Sequence, residues 1–151
     1  MSSDRKAAFY ARTMHTPDWP ERAELRSALR ETSKHLIAVH RQLIVAAKED
    51  FAFATGAASP APAEMLRLLT DDPFFAWLKP MTSLIVEIDE MARTDFEPAA
   101  AWAIGQRLSS MFDGTQGDFA EHYVPILQRE VEVTIAHAGL RGAMGKLRKQ
   151  G

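Results

Sequence analysis

Apolar residues recur at helical spacing over the first third of the chain, from about residue 21 to residue 55. One stripe steps by three and four residues, and a second stripe runs beside it. The first stripe is Leu25, Leu29, Thr32, Leu36, Val39, Leu43 and Ala46, and the second is Ile37, His40, Ile44, Ala47 and Phe51. Two adjacent stripes form a wide apolar face, so the pattern predicts a long central helix that touches more than one neighbour. It is expected to end near Gly56, a residue that suits a C-terminal cap.

The segment DPFFAWLKPMTSLIVEIDEMA, residues 72–92, combines many apolar residues with two prolines and an acidic end. Asp72 is typical of a helix N-cap, and Pro73 is typical of the first helical position. Pro80 comes too late for that role, because a proline inside a helix removes one hydrogen bond and clashes with the preceding turn. We therefore expect a short turn over Pro73 to Leu78, followed by a kink or a helix restart at Lys79 and Pro80.

The restarted helix has one apolar stripe with acidic residues at its edges. The stripe consists of Trp77, Met81, Leu84, Ile88 and Met91, with Phe74 and Ile85 beside it. Glu87 and Asp89 flank this stripe, and Glu90 points away from it. Phe75 and Val86 lie off the stripe, so we expect them to mark a partner surface if they are exposed.

Capping signals divide the second half of the chain into further helices. Thr94 with Glu97 has the spacing of a capping box, and Asp118 with Glu121 repeats it with Asp as the cap. Pro125 is expected to kink the last helical region or to split it in two. Each signal stands before a run of apolar residues, so two to three more helices follow.

These elements predict an all-α fold, an antiparallel bundle of about four main helices with one or two short ones. A short helix is expected over residues 64–69. Residues 130–134 alternate and are partly β-branched, but a lone strand would have no partner, so helix is preferred there. The predicted organisation is an N-terminal arm over 1–20, one bundle domain over 21–147 and a C-terminal tail over 148–151.

Composition narrows the classes of function. The chain has 151 residues, a hydrophobic fraction of 46% and no cysteine, which excludes disulfides, cysteine metal sites and thiol nucleophiles. The formal net charge of −2 offers no electrostatic footprint for nucleic acid. No apolar run approaches the ~20 residues of a membrane helix, and the N-terminus lacks the apolar region of a signal peptide. A cytoplasmic protein without membrane or nucleic-acid partners is expected.

The stretch from Glu64 to Glu90, EMLRLLTDDPFFAWLKPMTSLIVEIDE, resembles a family of small, uncharacterised bacterial all-helical proteins. Their shared core reads DPFFAWL, one residue, proline, and then LIV and IDE at fixed spacing. The region HAGLR, residues 137–141, is similar as well, and the resemblance covers the central and C-terminal two thirds. It implies a helical fold and no particular chemistry.

Candidate site residues are the histidines and carboxylates near the apolar stripes. His40 lies within a stripe of the first helix, and His137 lies near other apolar positions. A histidine on an apolar face is usually a core residue that is hydrogen-bonded to a neighbour. Paired with Glu87 or Asp89, and with His122 or His137 opposite, His40 could instead form a binding site with a general base.

Other motifs carry little chemistry. Glu31 and His35, like Asp118 and His122, are four residues apart, a spacing that can chelate a metal but is far more common in surface pairs. No residue is assigned as a metal ligand, and the sequence leaves the question of a cofactor open. The glycine repeat GLRGAMG, residues 139–145, favours close helix packing over phosphate binding. No phosphate-binding loop, nucleophile elbow or zinc-protease motif occurs in the chain.

Two hypotheses for the function follow. The first is a non-enzymatic cytoplasmic helical module for interaction or regulation, with a protein partner or with a second copy of itself, because the apolar faces of the first and third helical regions look wide. The second is a helical bundle that binds a small ligand or a metal, with enzymatic activity left open, because bundle cores hold such sites. Its site would use His40, Glu87, Asp89, His122 and His137.

Overall fold

The structure, a computed structural model, describes residues 19–148. Within this range the chain forms six α-helices, two 3₁₀ helices and no strand, which confirms the all-α prediction. The α-helices are α1 (Trp19–Thr55), α2 (Pro62–Asp71), α3 (Lys79–Arg93), α4 (Pro98–Phe112), α5 (Asp118–Arg129) and α6 (Val131–Met144), and the 3₁₀ helices are Pro73–Leu78 and Gly145–Leu147. The predicted arm and tail lie outside the described residues, apart from Trp19, Pro20 and Arg148.

The long helix α1 runs between α3 and α6 and makes most of the contacts of the bundle. All seven members of its first stripe are buried, as the 3.6-residue period predicts. The second stripe is shallower, and Ile37 is 40% exposed because it lies on the solvent side of α1. Gly56 follows α1 with a φ of 69°, a left-handed conformation that favours glycine at a helix end.

The segment after α2 folds as its prolines and Asp72 predict. Asp72 Oδ1 accepts a hydrogen bond of 2.8 Å from the backbone N–H of Phe74, and Pro73 opens the first 3₁₀ helix. The chain then restarts as α3, with Pro80 among its first residues, where proline costs no helical hydrogen bond. The turn and restart therefore lie where the sequence places them.

Two predicted caps are wrong in position. Thr94 ends α3 instead of beginning α4, since its hydroxyl donates to Glu90 O and its backbone N–H to Met91 O. Glu97 is the N-cap residue of α4, because Pro98 holds the preceding residue in an extended conformation and itself suits the first helical position.

The second misplaced cap is that of α5. Gly117, with a φ of 98°, occupies the N-cap position, and Asp118 is the first residue of the helix. There its carboxylate complements the helix dipole, so it still stabilises the N-terminus.

The last helical region is split, but not at Pro125. α5 continues through Pro125 to Arg129, and the break lies at Glu130, whose backbone is extended. Arg129 donates two hydrogen bonds of 2.7 Å to the carboxylate of Asp50 on α1, which anchors the end of α5. Residues 131–144 are helical, which agrees with the preference for helix over strand that was predicted for residues 130–134.

Two of the three aromatic residues of the DPFFAWL stretch belong to the core, whereas Phe74 is 36% exposed. Phe75 is fully buried, so the condition under which it would mark a partner surface is not met, whereas Val86 is 55% exposed. Trp77 is 4% exposed, as expected for a core residue, and Trp102 is half-buried. Because the 3₁₀ helix has three residues per turn, Phe75 and Leu78 share one face, and both point inward.

Candidate functional site

A groove separates α3 from α4. The two helices are consecutive in the chain, yet each packs on other parts of the bundle and their backbones hardly approach each other. Two clefts of about 670 Å³ each lie along this gap. Arg107 on α4 donates a hydrogen bond of 2.7 Å to Glu87 Oε1 on α3, and this ion pair bridges the gap where the clefts meet. We call the two clefts together the α3/α4 groove.

The first cleft lies at the end of α3, beside the connection to α4. Its lining residues are Glu87, Glu90, Met91, Arg93, Thr94, Asp95, Phe96 and Ala100. Three carboxylates and one guanidinium therefore surround an apolar floor, and Arg93 is already paired with Asp89 at 3.1 Å. Within residues 19–148, the carboxylates of Glu90 and Asp95 have no hydrogen-bond partner. This end of the groove attracts positive charge.

The second cleft lies between α3, α4 and the start of α5. Its apolar part consists of Leu84, Ala103, Met111, Phe119 and Ala120, and its rim carries Gln106, Arg107, Ser110, Gln116 and Asp118. The floor is thus mainly hydrophobic with a polar edge, which is the usual composition of a recognition surface.

A half-buried arginine holds the connection that forms one end of the first cleft. Arg26 on α1 donates to the carbonyl oxygens of Ala92 and Thr94, and its guanidinium lies 5.1 Å from the centre of the Phe96 ring. These contacts hold the connection between α3 and α4 against α1. Phe96, which is 8% exposed, is thereby fixed as part of the floor.

His40 is a half-buried residue that bonds to α3. Its Nε2 lies 3.1 Å from Thr82 Oγ1, and the Thr82 hydroxyl donates its own hydrogen to Leu78 O. The hydroxyl therefore accepts from His40 Nε2–H, which sets the tautomer. Burial lowers the pKa of His40, so the neutral ring is favoured. His40 thus behaves as expected for a histidine on an apolar face, with its ring hydrogen-bonded to a neighbour.

His137 and Tyr123 form a hydrogen bond between α6 and α5. The Tyr123 hydroxyl lies 2.7 Å from His137 Nδ1, and burial raises the pKa of Tyr123, so the phenol stays protonated and donates. The pKa of His137 is lowered, first by burial and then by the charge of Arg141, whereas Asp113 opposes this effect. Arg141 is itself paired with Asp113.

His122 lies on the exposed side of α5 against a core tryptophan. Its ring stacks on Trp77 with centroids 5.1 Å apart and an interplanar angle of 8°. Its Nδ1 lies 2.9 Å from the backbone oxygen of Asp118 and 3.6 Å from the Asp118 carboxylate. The stacked ring covers one face of Trp77, and the contact with Asp118, which lies one turn earlier on α5, holds the ring in place.

The five predicted site residues are distributed over separate contacts. Glu87 pairs with Arg107, Asp89 pairs with Arg93, and each histidine has its own partner. No hydrogen bond, ion pair or ring contact of the described residues joins two of the five. Residues 19–148 contain no group of three or more His, Cys, Asp or Glu side chains arranged to hold a metal ion. Of the five, Glu87 alone lines the α3/α4 groove.

The groove residues Met91, Phe96, Arg107 and Met111 were not singled out from the sequence. Met91 was assigned to the core stripe of its helix, and the others were ordinary apolar or basic positions. The available signal was the pair of methionines on two consecutive helices joined by a short connection. The two methionines indicate a groove only when the structure shows that α3 and α4 are separated.

The lowered pKa values of His40 and His137 predict a pH dependence of stability. The unfolded chain binds more protons than the folded one between the folded pKa values and the ordinary value near 6.5, so stability falls as the pH drops below about 6.5. We expect the melting temperature to decrease between about pH 7 and about pH 5.5. The double variant His40→Gln, His137→Gln should show a weaker decrease in thermal melts. Equal slopes for both proteins would contradict this assignment.

No helix within residues 19–148 combines the length and the apolar character that a membrane span requires. No protein-family model, curated protein or solved structure matches the sequence. The geometry of the groove and of the exposed faces therefore carries the argument for function.

Proposed function

We propose that the protein is a non-enzymatic helical interaction module, and that the α3/α4 groove binds a helical segment of a protein partner. The observation that carries this proposal is the open, apolar-floored gap between two consecutive helices. An amphipathic helix laid into such a groove buries its apolar face between the walls. Met91 and Met111 suit this role, because methionine side chains adapt to different partners.

Charge defines the partner further. In the first cleft Glu87 is paired with Arg107, and Arg93 is paired with Asp89. The carboxylates of Glu90 and Asp95, in contrast, are exposed and unpaired among the described residues. A partner helix with lysine or arginine beside its apolar face would neutralise these carboxylates. A partner helix with acidic residues there would be repelled. We therefore propose a basic amphipathic helix as the ligand of the groove.

Two designed peptides test this proposal. The leucine–lysine peptide is a synthetic helix of three heptads with leucine at the a and d positions and lysine at the others, and the leucine–glutamate peptide has glutamate for every lysine. Titration calorimetry should show that Ala103→Trp, which fills the second cleft, weakens binding of the leucine–lysine peptide by about tenfold or more. The matched control Ala99→Trp, on the same helix outside both clefts, should bind as the parent does. Equal binding by both variants would reject the groove.

A second function, binding of a small molecule, is favoured by the size of the first cleft. Its volume of about 670 Å³ lies within the range of small-ligand sites, ~300–1,000 Å³. Glu87 and Glu90 would orient a cationic group there, and enzymatic activity remains an open part of this alternative. Elemental analysis of the purified protein tests the metal version, and thermal shift with spermidine tests the organic version. A melting temperature that does not change with spermidine would count against it.

The remaining parts of the proposal concern context. We propose a cytoplasmic protein without a nucleic-acid or membrane partner, which the net charge of −2 and the ordinary globular composition support. Membership in the bacterial helical family that the DPFFAWL segment resembles also stays a prediction. Association with a second copy is the other partner predicted from the sequence. Sedimentation at micromolar concentration tests it, and a clean monomer would remove that part.

A further inference from the structure

A second surface, on the opposite side of α1 from its buried stripe, has an unusual distribution of charge. Lys34, Arg41 and Lys48 follow one another at intervals of seven residues, and Arg30 precedes them by one turn. Lys34 and Arg41 are exposed, and Lys48 is half-buried. Within residues 19–148, no hydrogen bond or ion pair engages any of these four side chains.

Most other basic residues of the described chain do have partners. Those in ion pairs are Arg22, Arg93, Arg107, Arg129, Arg141 and Lys146. Arg67, Lys79 and Arg148 are also unpaired within the described residues, but they lie on other elements, so four of the seven unpaired cations share one side of α1. Unpaired acids nearby are Glu49 on α1 and Glu132 on α6, and Glu31, which is paired with Lys146, also lies within electrostatic range of Lys34. Positive charge is therefore in excess on this side of α1.

The same side of α1 repeats small and apolar residues with the same interval. Ala38, Val45 and Ala52 are seven residues apart, and Val45 is 48% exposed. A seven-residue repeat drifts by ~20° per heptad around a straight α-helix. A second helix that crosses the first at about 20° follows this drifting line of residues. Its side chains then fit between those of the first helix.

Helix α6 extends this surface with exposed apolar residues. Val131 is 69% exposed and Ile135 is 61% exposed, and Ala138 and Gly142 continue their line at helical spacing. The contacts Glu31–Lys146 and Asp50–Arg129 show that the chain from Arg129 to Lys146 runs antiparallel to α1. This register places Val45 at about the level of Val131 and Ile135.

Gly142 leaves a stretch of bare backbone on this surface. A Cβ atom at Gly142 would meet nothing within 4 Å, and the residue has no left-handed φ. Glycine inside a helix costs about 1 kcal/mol relative to alanine. Gly139, in contrast, is required by a neighbour, since a Cβ there would lie 2.8 Å from His35 Nδ1. Gly142 therefore opens onto empty space at the surface of α6, so a neighbouring helix can approach the backbone closely there.

We propose that the outer faces of α1 and α6 form a docking site for an acidic amphipathic helix of a partner protein. Its apolar residues would pack on Val45, Val131 and Ile135, and its glutamates or aspartates would face Lys34 and Arg41. The partner is not the same face of a second copy of this chain, because that pairing would bring two rows of cations together. This site is separate from the α3/α4 groove and prefers a partner of opposite charge.

The leucine–glutamate peptide is the probe for this site. Fluorescence anisotropy should show that it binds the full chain and that binding weakens as salt is raised, as expected for partly exposed charges. The variants Arg41→Glu and Lys34→Glu should each weaken binding by about tenfold or more, because a cation becomes a like charge. The control Arg67→Glu changes an exposed cation on α2, away from this face, and should bind within about twofold of the parent.

The apolar half of the site has its own matched pair of variants. Ile135→Glu, on α6, should weaken binding of the leucine–glutamate peptide, whereas Val86→Glu, exposed to a similar degree on α3, should not. Ala103→Trp should leave this peptide unaffected, so failure of the groove and failure of this site can be told apart.

Several outcomes would overturn the proposal. The site is rejected if the leucine–glutamate peptide does not bind, or if Arg41→Glu binds it as well as the parent does. Preferential binding to a DNA duplex would assign the cations to nucleic acid instead. Binding to vesicles that contain phosphatidylglycerol, in preference to the peptide, would assign the face to a membrane surface.

Discussion

Replacing Trp77 by alanine is expected to lower the free energy of unfolding by roughly 3–5 kcal/mol. The side chain is 4% exposed, and its ring lies 5.8 Å from the Phe119 ring and is covered by the stacked His122 ring. It joins the first 3₁₀ helix to α5, so truncation leaves a cavity between two elements that are far apart in sequence. Such a loss corresponds to a melting temperature lower by roughly 6–20 °C.

Glu90→Gln is the control for this variant. Glu90 is exposed on α3, and its carboxylate has no partner within the described residues. A change there should alter stability by no more than about 0.5 kcal/mol. Thermal and denaturant melts of both variants measure the difference. If Trp77→Ala melts like the parent, the tryptophan is not a core residue, and the DPFFAWL segment is a binding surface.

Phe75→Ala is expected to have an effect of similar size, about 3–5 kcal/mol. Phe75 is completely buried, and its ring centroid lies 5.3 Å from Phe51 on α1 and 5.1 Å from Phe74. Aromatic pairs at these separations contribute ~0.5–1.5 kcal/mol beyond the area they bury. Truncation of the central ring removes two such contacts and leaves a cavity where the 3₁₀ helix meets α1.

Phe53→Ala is the matched control for Phe75→Ala. The Phe53 side chain lies two residues beyond Phe51 on α1 and is 92% exposed. Its removal should change the midpoint of denaturant unfolding little, within about 0.5 kcal/mol. The two phenylalanines separate the alternatives well, because a partner-surface role for Phe75 predicts that both variants are as stable as the parent.

The candidate sites differ in how much of each can be predicted from the sequence alone. The seven-residue spacing of Lys34, Arg41 and Lys48 is visible in the sequence, but whether acids pair with them depends on which helices pack beside α1. The α3/α4 groove is even harder to predict from the sequence. Its bridge joins Glu87 to Arg107, twenty residues apart, and exists because both helices pack on other parts of the bundle. The histidines were visible as candidates, yet their partners Thr82 and Tyr123 were not.

Local physics determined the elements of this protein. The 3.6-residue period of α1, the Asp72–Pro73 start and the restart at Lys79 follow from side-chain spacing and backbone sterics within a few residues. The cap at Thr94 was misplaced because a hydroxyl residue satisfies backbone groups at either end of a helix, and Pro98 decides which helix it serves.

Tertiary structure decided which faces are buried and which remain free. Phe75 is in the core because a 3₁₀ helix turns its side chains every three residues and because Phe51 of α1 lies opposite. Ile37 and Val45 are exposed because α3 and α6 pack on other sides of α1, and Ile135 is exposed because it lies on the outer side of α6. Periodicity sets the direction of a side chain around its own helix, whereas only the packing of distant helices determines what that side chain meets.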